Sequence, residues 1–362
     1  MVNITKKKIG VLGLQAPDSS NLENLGKILS LEFELDLLGN TNVNENIKKI
    51  YSIKNYTSIK GKNMVTWFLR DMINLLHYCW KEKPNILLSV QNPDWQAPLI
   101  FIFGKLFGIK TVARFSGAGF DTYKIKKGYI RVVAYFVYHW LMRLMLFCDK
   151  IICMGEEQKQ HLIKYGCKPE KIRIILQPID ESLFKPPVDR NVAKLKLGWD
   201  PNKTYLLYTG TLQKRKGIDT FLKIIPDLMG KNEDFVFILV GKDDDGYTPR
   251  FRRFPLNKVK LIPPVRQREL VDFYQAADLL IHPAIDEGFP KTVLEAAACG
   301  LPIIARDIVG VGRVADKVFD TDEELIELIL HNTLKPLNIS KLPEKYTWKE
   351  LENQYLEVFR KP

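Results

Sequence analysis

Two carboxylates flank a turn that leads into a predicted helix, and their placement offers a specific chemistry. Glu287 precedes the turn Gly288-Phe289-Pro290, and Glu295 follows it. A carboxylate at Glu295 can accept two hydrogen bonds from a vicinal diol such as that of a ribose, and each bond contributes roughly 1.5–3 kcal/mol. Glu287, in the loop, can face a hexose on the same diphosphate. The alternative is that both glutamates decorate an exposed surface. Their coincidence with a turn and a helix start favours a sugar-nucleotide site.

The start of the predicted helix can bind a phosphate. Pro290 suits the first helical position, where a missing N–H group costs nothing. The backbone N–H groups of Lys291 and Thr292 then point out of the positive end of the helix, which attracts anions. Glu295 lies one turn beyond Lys291 on the same face. Gly300 suits the left-handed position just past the helix end.

The elements around this helix are those of a parallel sheet. An apolar run from Leu279 precedes the turn, and a second run, from Leu301 to Ala305, follows the helix. The order strand, loop, helix and strand is a βαβ step. Ligands of such sheets lie beyond the carboxyl ends of the strands, where loops meet helix N-termini, and the two glutamates fall there.

The segment EGFPKTVLEAAACGLPII, which begins at Glu287, resembles the donor-site motif of the family 4 retaining glycosyltransferases. The resemblance implies the GT-B fold of that family, an α/β architecture of two Rossmann-like parallel-sheet domains facing across a cleft. It also implies that Glu287 contacts the donor sugar and that Glu295 contacts the ribose of the nucleotide.

A second stretch, YTGTLQKRKGIDTFL from Tyr208, is similar to the strand, loop and helix that carry the family's basic diphosphate clamp. Lys216 falls on the clamp lysine. The arginine that usually accompanies this lysine is replaced by Thr211, which can hydrogen-bond a phosphate but carries no charge. Lys214 or Arg215, in the same loop, can restore the charge.

Two other regions of the site are assigned by the resemblance. The stretch from Val259 fits the part of the family that borders the nucleotide base, and its loop includes Val265 and Arg266. The N-terminal half lacks a histidine that the family often places near the reacting centre. The segment VARFSGAGFD stands there instead, as it does in members with an R-x-S-G form. The candidate residues on this side are Gly13, at the end of the first predicted strand, Arg114, Ser116 and Gly117.

The alternation of strands and helices predicts two βαβ arrays joined by a linker. The chain has 362 residues, which is enough for two separate cores. Candidate strands occupy residues 8–14, 31–38, 86–89, 111–116, 150–154, 173–176, 205–208, 235–240, 258–262, 279–281 and 302–305. The Pro-rich stretch from Gln177 is typical of a linker. We therefore predict an acceptor domain over residues 1–180 and a donor domain over residues 181–345. By resemblance, a closing helix over residues 346–362 packs back on the first domain.

Charge and cysteine usage limit the partners and cofactors. The formal net charge is +12, but no nucleic-acid recognition module accompanies the basic residues, so nucleic acid is not an expected partner. The five cysteines form no C-x-x-C or Cys/His cluster, which favours a reducing compartment and argues against structural zinc. The run Asp243-Asp244-Asp245-Gly246 is more typical of a turn than of a metal site. We expect a cytoplasmic protein with no metal and no cofactor, for which the nucleotide sugar is a co-substrate.

A basic and aromatic segment offers a contact with a membrane. The segment KIKKGYIRVVAYFVYHWLMRLMLFCDK, from Lys124, joins basic residues near its start to a long apolar run. His139 and Arg143 interrupt that run, which argues against a spanning helix. Two interpretations stay open. One is a helix on the anionic inner face of a membrane, where each basic residue adds about 1 kcal/mol, and the other is a buried helix of the N-terminal domain.

Together these features predict a metal-independent, retaining hexosyltransferase that moves a sugar from a nucleotide-sugar donor to a hydroxyl group. Glu287 and Lys216 are the candidate catalytic residues. The acceptor class that the resemblance implies is a saccharide or a lipid-linked glycan of cell-surface polysaccharide or glycoconjugate synthesis. Two alternatives stay open: another GT-B enzyme, such as an epimerase or a phosphorylase, and a non-catalytic membrane-associated scaffold.

Overall fold

The computed structural model describes residues 6–12, 20–38, 45–59, 64–90, 95–115, 140–176, 179–285, 290–308, 311–333 and 346–361. The chain divides into two compact units. The first unit comprises Met1–Pro178 together with Lys349–Pro362, and the second unit comprises Ile179–Trp348. Each unit is built on one parallel sheet with helices between successive strands, which is a Rossmann-like arrangement.

A seven-stranded sheet forms the first unit, in the order β3-β2-β1-β4-β5-β6-β7. Its strands are β1 (Lys7–Leu12), β2 (Phe33–Leu38), β3 (Ser52–Lys54), β4 (Ile86–Ser89), β5 (Lys110–Phe115), β6 (Lys150–Cys153) and β7 (Ile172–Ile174). Its first helices are α1 (Ser20–Leu29), α2 (Glu45–Ile50), α3 (Met64–Glu82), α4 (Gln96–Phe107) and α5 (Glu156–Lys164), with short 3-10 helices at Met142–Phe147 and Pro169–Lys171. The central strands are apolar because helices cover both faces of a parallel sheet.

A six-stranded sheet forms the second unit, in the order β10-β9-β8-β11-β12-β13. Its strands are β8 (Thr204–Thr209), β9 (Phe235–Val240), β10 (Val259–Ile262), β11 (Leu279–His282), β12 (Ile303–Arg306) and β13 (Lys317–Phe319). Its helices are α6 (Arg190–Lys196), α7 (Ile218–Lys231), α8 (Thr248–Phe251), α9 (Gln267–Ala276), α10 (Lys291–Ala298) and α11 (Asp322–Thr333), with 3-10 helices at Lys214–Lys216 and Val311–Arg313. Every residue of β9 is buried, which agrees with its apolar sequence FVFILV.

The last helix, α12 (Trp348–Arg360), packs on the first unit. Its apolar face is buried, and the ring of Phe359 lies 6.2 Å from that of Phe33 in β2. The hydroxyl of Tyr355 donates a hydrogen bond to the carbonyl oxygen of Leu176 at 3.0 Å. Arg360 forms an ion pair with Glu32. A helix from the far end of the chain thus completes the core of the N-terminal sheet.

The predicted strand positions agree with the sheets wherever a strand is long and apolar. Residues 86–89 and 235–240 were predicted to the residue as β4 and β9. Two strands were not predicted, β3 and β13, because each has three residues, of which none is buried in β3 and one is buried in β13. The prediction of a strand from residue 31 was wrong at its start, because Leu31 and Glu32 form the turn that closes α1.

The segment from Lys124, for which a membrane-surface helix and a buried helix were both left open, is described only from Trp140 onward, and residues 124–139 lie outside the described residues. Its described part is not one long helix, since Met142–Phe147 forms a 3-10 helix before β6. Met142 and Met145 are buried, whereas Trp140 and Phe147 are 61% and 58% exposed. Within the described ranges, no helix has both the length and the apolar character needed to cross a bilayer.

Candidate functional site

The order in which strands are added to the second sheet reverses between β8 and β11. From β8 the strands continue to β9 and β10 on one side, and from β11 they continue to β12 and β13 on the other. Loops that leave two such strands diverge, so a crevice forms at the carboxyl ends. The loop after β8 carries the predicted clamp, and the loop after β11 leads to Glu287. Topology therefore places both predicted motifs at this switch point.

Two glycines bring the loops after β8 and β9 together. A Cβ atom on Gly241 would lie 1.8 Å from the carbonyl oxygen of Gly210, so no larger residue fits there. Beyond this contact, the backbone N–H of Leu212 donates to the carbonyl oxygen of Lys242 at 2.8 Å. Thr211, the predicted phosphate contact, is half-buried between them, and its carbonyl oxygen accepts a hydrogen bond from the Tyr208 hydroxyl at 2.7 Å.

The basic residues of the predicted clamp form one turn of 3-10 helix, Lys214–Lys216. Lys214 and Arg215 are exposed, and Lys216 is half-buried. The turn ends at Gly217, whose φ of 73° is left-handed and whose added Cβ would lie 1.9 Å from the carbonyl oxygen of Pro283. The backbone N–H of Ile285 donates to the carbonyl oxygen of Arg215 at 2.9 Å. The clamp is thereby fixed to the start of the loop that contains Glu287.

Three consecutive aspartates hold the clamp and a neighbouring helix in place. Asp243 accepts backbone hydrogen bonds from Tyr247 at 2.8 Å and Thr248 at 2.7 Å at the start of α8. Asp244 pairs with Lys242 at 2.7 Å. The carboxylate of Asp245 accepts a hydrogen bond from the backbone N–H of Lys214 at 2.9 Å. The run is therefore a turn whose carboxylates are occupied by protein partners.

Glu295 lies in a buried hydrogen-bond network between α9 and α10. Its side chain is 2% exposed. One carboxylate oxygen accepts a hydrogen bond from the Gln267 amide at 2.5 Å, and the other accepts one from the Tyr274 hydroxyl at 3.0 Å. The Tyr274 hydroxyl also lies 3.0 Å from Oγ1 of Thr209, the last residue of β8. This network ties Glu295 to the carboxyl end of the strand that precedes the clamp.

Burial governs the protonation of this network. Burial is the largest influence on Glu295 and raises its pKa, while the positive charge of Lys291 and the two hydrogen bonds act in the opposite direction. The pKa of Tyr274 is raised well above its usual value, mainly by burial and then by the nearby Glu295 carboxylate. Tyr274 therefore keeps its proton and remains a hydrogen-bond donor. A donor next to a carboxylate favours the ionised form of that carboxylate.

The start of α10 differs from the prediction by one residue. Pro290 is the N-cap, with φ −73° and ψ 120°, and Lys291 is the first helical residue, so the placement of Pro290 inside the helix was wrong. The shift follows from the β-like ψ of Pro290, which is typical of an N-cap. The first N–H groups of a helix have no intrahelical acceptor, and those of Lys291 and Thr292 belong to this set. At the other end, the predicted left-handed Gly300 is confirmed, with a φ of 64°.

The loop before α9 carries the residues predicted to border the base. Val265 is half-buried and Arg266 is exposed. Arg266 is the N-cap of α9, and its backbone N–H donates to the Glu269 carboxylate at 2.9 Å. Gln267, which bonds Glu295, is the next residue. The side chain of Gln267 thus joins the predicted base-binding loop to Glu295, the predicted ribose contact.

The predicted N-terminal candidates belong to the first unit. Arg114 lies in β5 with 2% exposure, and its positive charge lowers the pKa of the Tyr355 hydroxyl of α12, which burial raises. Its Nε and Nη2 atoms have no hydrogen-bond partner within the part of the chain that the structure describes. The remaining candidates on this side, and the turn beside Glu287, lie outside the described residues: Gly13, Ser116, Gly117, Glu287, Gly288 and Phe289. Across the described ranges, no group of three or more His, Cys, Asp or Glu side chains is arranged to hold a metal ion.

Sequence reasoning missed three residues of the site. Gln267 and Tyr274 were not predicted to contact Glu295, and Thr209 was not predicted to contact Tyr274. A partial signal was present, because Gln267 and Tyr274 are two turns apart on one face of a predicted helix. The partners of that face lie in β8 and α10, which are distant in the sequence, and periodicity does not identify such partners.

Comparison with known proteins assigns a family to each part of the chain. Residues 189–320 match the family model for glycosyl transferases group 1. Residues 40–183 match the model for glycosyltransferase family 4. The first match lies in the second unit and covers the clamp, the Glu295 network and the base loop. The second match lies in the first unit except for its last five residues, and it covers β5 with Arg114.

Among curated relatives, a D-inositol 3-phosphate glycosyltransferase of Rhodococcus jostii is 29% identical over 45% of this chain and 38% of its own length. An alpha-galactosylglucosyldiacylglycerol synthase of Streptococcus pneumoniae is 30% identical over 55% of this chain and 54% of its own length. The chain therefore matches between about two fifths and about half of the length of these relatives.

Among solved structures, the Anabaena protein HepE in complex with UDP-glucose superposes with a TM-score of 0.75. The match covers 98% of this chain and 100% of HepE at 15% identity, so it concerns the fold. The predicted α/β fold of the GT-B class, with two Rossmann-like parallel-sheet domains, is confirmed by this likeness and by the two sheets. From the two family matches and this fold, we conclude that the chain belongs to the group 1 glycosyltransferases.

Proposed function

We propose that the protein is a retaining glycosyltransferase that moves a sugar from a nucleotide-sugar donor to an acceptor hydroxyl. The observation that carries the proposal is the position of Glu295 at the switch point of the second sheet. Its carboxylate is held by Tyr274 and Gln267 and lies one turn after Lys291, at the start of α10. A fixed acceptor of hydrogen bonds beside a helix N-terminus suits a ribose diol joined to a diphosphate.

Glu295 can contact a diol although both of its oxygens already have partners. A carboxylate has about four lone-pair sites, and Gln267 and Tyr274 occupy two of them. The other two can accept hydrogen bonds from a ribose. We propose this role for Glu295, and we propose that Glu287 contacts the transferred sugar. Val265 and Arg266, beside Gln267, are the proposed neighbours of the base.

The diphosphate is the proposed ligand of the clamp. Lys216 supplies a positive charge, Thr211 a hydroxyl, and Arg215 a second charge in place of the family arginine. Pro290 to Thr292 add the positive end of α10. The clamp follows β8 and α10 follows β11, the two strands at the switch point. The hydrogen bond from the Ile285 N–H to the Arg215 carbonyl oxygen holds the loops after these strands together. Oriented donors of this kind stabilise a leaving diphosphate without reorganisation.

The proposed reaction breaks the bond between the anomeric carbon and the diphosphate oxygen. The sugar gains oxocarbenium character while negative charge develops on the diphosphate, next to Lys216 and the first N–H groups of α10. The acceptor hydroxyl attacks from the face that the diphosphate leaves, and its proton passes to the departing oxygen. Retention follows from attack on that face. Each donor to the diphosphate contributes about 2.7–4 kcal/mol of barrier lowering.

The cofactor and the compartment remain proposals as well. No metal is proposed as a participant, because Asp243 and its two neighbours already accept hydrogen bonds or ion pairs from the protein. The nucleotide sugar is the proposed co-substrate. The similarity to an alpha-galactosylglucosyldiacylglycerol synthase supports an acceptor that is a saccharide or a lipid-linked glycan. We propose that a cytoplasmic protein uses this acceptor at the inner face of a membrane.

Product analysis tests the proposal. The protein is incubated with UDP- and GDP-sugars and with candidate glycolipid or saccharide acceptors, and the anomeric configuration of the product is determined by NMR. We expect release of nucleoside diphosphate and a product with the donor's configuration. Lys216→Ala should lower kcat by about 100- to 1,000-fold, whereas Lys223→Ala, which alters an exposed lysine of α7, should not. An epimerised nucleotide sugar, phosphorolysis, or an inverted product would contradict the proposal.

A further inference from the structure

One layer of the first unit presents large apolar side chains to solvent. Helices α3 and α4 pack side by side, and α4 packs against the 3-10 helix Met142–Phe147. On α3, Leu69, Leu76 and Trp80 are 38%, 44% and 71% exposed. Their spacing of seven and four residues places them on one helical face, away from the sheet. The buried residues of α3 form its opposite face.

The other two elements continue the same surface. On α4, Ile102 and Leu106 are 41% and 67% exposed and lie one turn apart. The neighbouring Phe147 is 58% exposed, and its ring lies 5.8 Å from that of Phe101 in α4. Trp140 is 61% exposed. Three adjacent elements therefore form one apolar face, which we call the α3–α4 face.

The most exposed members of the α3–α4 face gather at one edge of the sheet. The three elements lead into β4, β5 and β6, which are neighbours in the sheet. Parallel strands begin at the same edge, so the ends of the three elements lie there. Trp80, Leu106 and Phe147 are all within one or two turns of these ends. Because α4 packs against both α3 and the 3-10 helix, and neighbouring helices lie about 8–10 Å apart, Leu106 belongs to the element that adjoins those of Trp80 and Phe147.

Basic side chains surround this edge. Exposed lysines lie at or before the starts of β4, β5 and β7: Lys81, Lys83, Lys105, Lys110 and Lys168. Two carboxylates of the same segments are occupied by protein partners, whereas Glu170, close to Lys168, is exposed. Glu82 pairs with Lys8 at 3.0 Å, and Asp149 accepts hydrogen bonds from the backbone and hydroxyl of Thr111 at 2.9 Å each. The edge thus combines exposed aromatic and aliphatic groups with positive charge.

We propose that the α3–α4 face is the surface by which the protein binds an anionic lipid bilayer. Apolar side chains interleaved with lysine suit the boundary between headgroups and acyl chains, where tryptophan is favoured and lysine pairs with lipid phosphate. A second copy of the chain would bring two sets of lysines together, which opposes self-association through this face. The inference rests on the membrane association within the proposed function, and it is independent of the donor chemistry.

Vesicle co-sedimentation tests the inference. The protein is mixed with phosphatidylcholine vesicles that contain or lack phosphatidylglycerol, at low salt. We expect strong binding to the anionic vesicles alone. The double variant Trp80→Ser/Leu106→Ser should bind at least tenfold more weakly, and Lys81→Glu/Lys105→Glu should bind at least fivefold more weakly. The matched control Leu256→Ser, which removes an 81% exposed leucine of the second unit, should bind as the unaltered protein does.

Two accompanying measurements keep the outcome interpretable. Circular dichroism melting establishes that each variant folds, and the thermal shift induced by UDP reports the donor site separately. Loss of vesicle binding with an unchanged UDP response supports the inference even if donor turnover is never detected. Equal binding of the Trp80→Ser/Leu106→Ser variant and the Leu256→Ser control would overturn it. So would binding of the unaltered protein to both kinds of vesicle alike, or a dimer in light scattering that the double variant abolishes.

Discussion

The backbone N–H of Ile285 donates a hydrogen bond to the carbonyl oxygen of Arg215 at 2.9 Å. This bond joins the loop after β11 to the loop after β8, across the switch point of the second sheet. Gly217 reinforces the junction, because its backbone lies directly against the carbonyl group of Pro283. The geometry of the clamp is therefore set by the same strands that position the loop containing Glu287.

Gly217→Ala should disrupt this junction. The φ of 73° is strained for alanine, and the new Cβ would meet the Pro283 carbonyl oxygen at 1.9 Å. We expect the free energy of unfolding to fall by more than the roughly 1–3 kcal/mol that left-handed strain alone costs, and nucleotide affinity to fall with it. Gly198→Ala is the matched control, since Gly198 has a φ of 68° with open space around it. Chemical denaturation that gives equal losses for both variants would contradict the close contact.

Tyr274→Phe should change the pH dependence of nucleotide binding. The Tyr274 hydroxyl lowers the pKa of Glu295 through its hydrogen bond, while burial raises that pKa. Without the hydroxyl, the pKa of Glu295 rises further, so protonation and loss of affinity should begin at a higher pH. Calorimetric titration with the nucleotide across the acidic range measures the midpoint. An unshifted midpoint would show that Tyr274 does not act on Glu295. Tyr205→Phe, which alters a buried tyrosine of β8, serves as the control.

Glu295→Gln should alter how stability depends on pH. The pKa of Glu295 is raised in the folded protein, so the folded state binds the proton more tightly than the unfolded state does. Stability therefore falls as pH rises from the ordinary glutamate pKa through the raised value. The variant lacks this titration. We expect its melting temperature, relative to that of the unaltered protein, to increase with pH over that window, and a constant difference would be inconsistent with the raised pKa.

Arg114→Met should separate a structural role from a functional one. The guanidinium is buried, and two of its nitrogen atoms have no partner within the described residues. Replacing an incompletely paired buried charge with an apolar side chain of similar length is often neutral or stabilising. We expect an unfolding free energy that is unchanged or higher, together with a marked loss of transferase turnover if Arg114 contacts the substrate. A large loss of stability would identify a structural interaction, such as that with the nearby Tyr355 hydroxyl, as the main role of Arg114.

The sequence was sufficient for features that arise locally. β4 and β9 are continuous apolar runs buried on both faces, and their limits follow from their residues. Gly300 was placed correctly, because a glycine after a helical run marks its end. β3 and β13 could not be predicted, since three-residue strands at the sheet edges acquire their identity from pairing with a neighbour. The one-residue error at Pro290 reflects the close similarity of the two positions that suit proline.

The candidate site was predictable by residue type but not by partner. One acidic motif identified Glu295, and one basic motif identified Lys216. The strand order brings the loops of both motifs to one switch point. The burial of Glu295 and its bonds to Gln267 and Tyr274 depend on how α9 packs against α10. No local pattern encodes that packing. The same reason applies to the contact between Arg215 and Ile285, which joins segments that are distant in the sequence.

Calorimetric titration with a nucleotide-sugar panel tests the central claim most directly, because that claim is that the carboxyl edge of the second sheet binds the donor. We predict saturable binding of at least one UDP- or GDP-sugar, and we predict that Glu295→Ala weakens it at least tenfold while Glu327→Ala, which alters an exposed residue of α11, does not. Failure of the folded protein to bind any nucleotide or nucleotide sugar, or equal affinity in the Glu295→Ala and Glu327→Ala variants, would contradict the account.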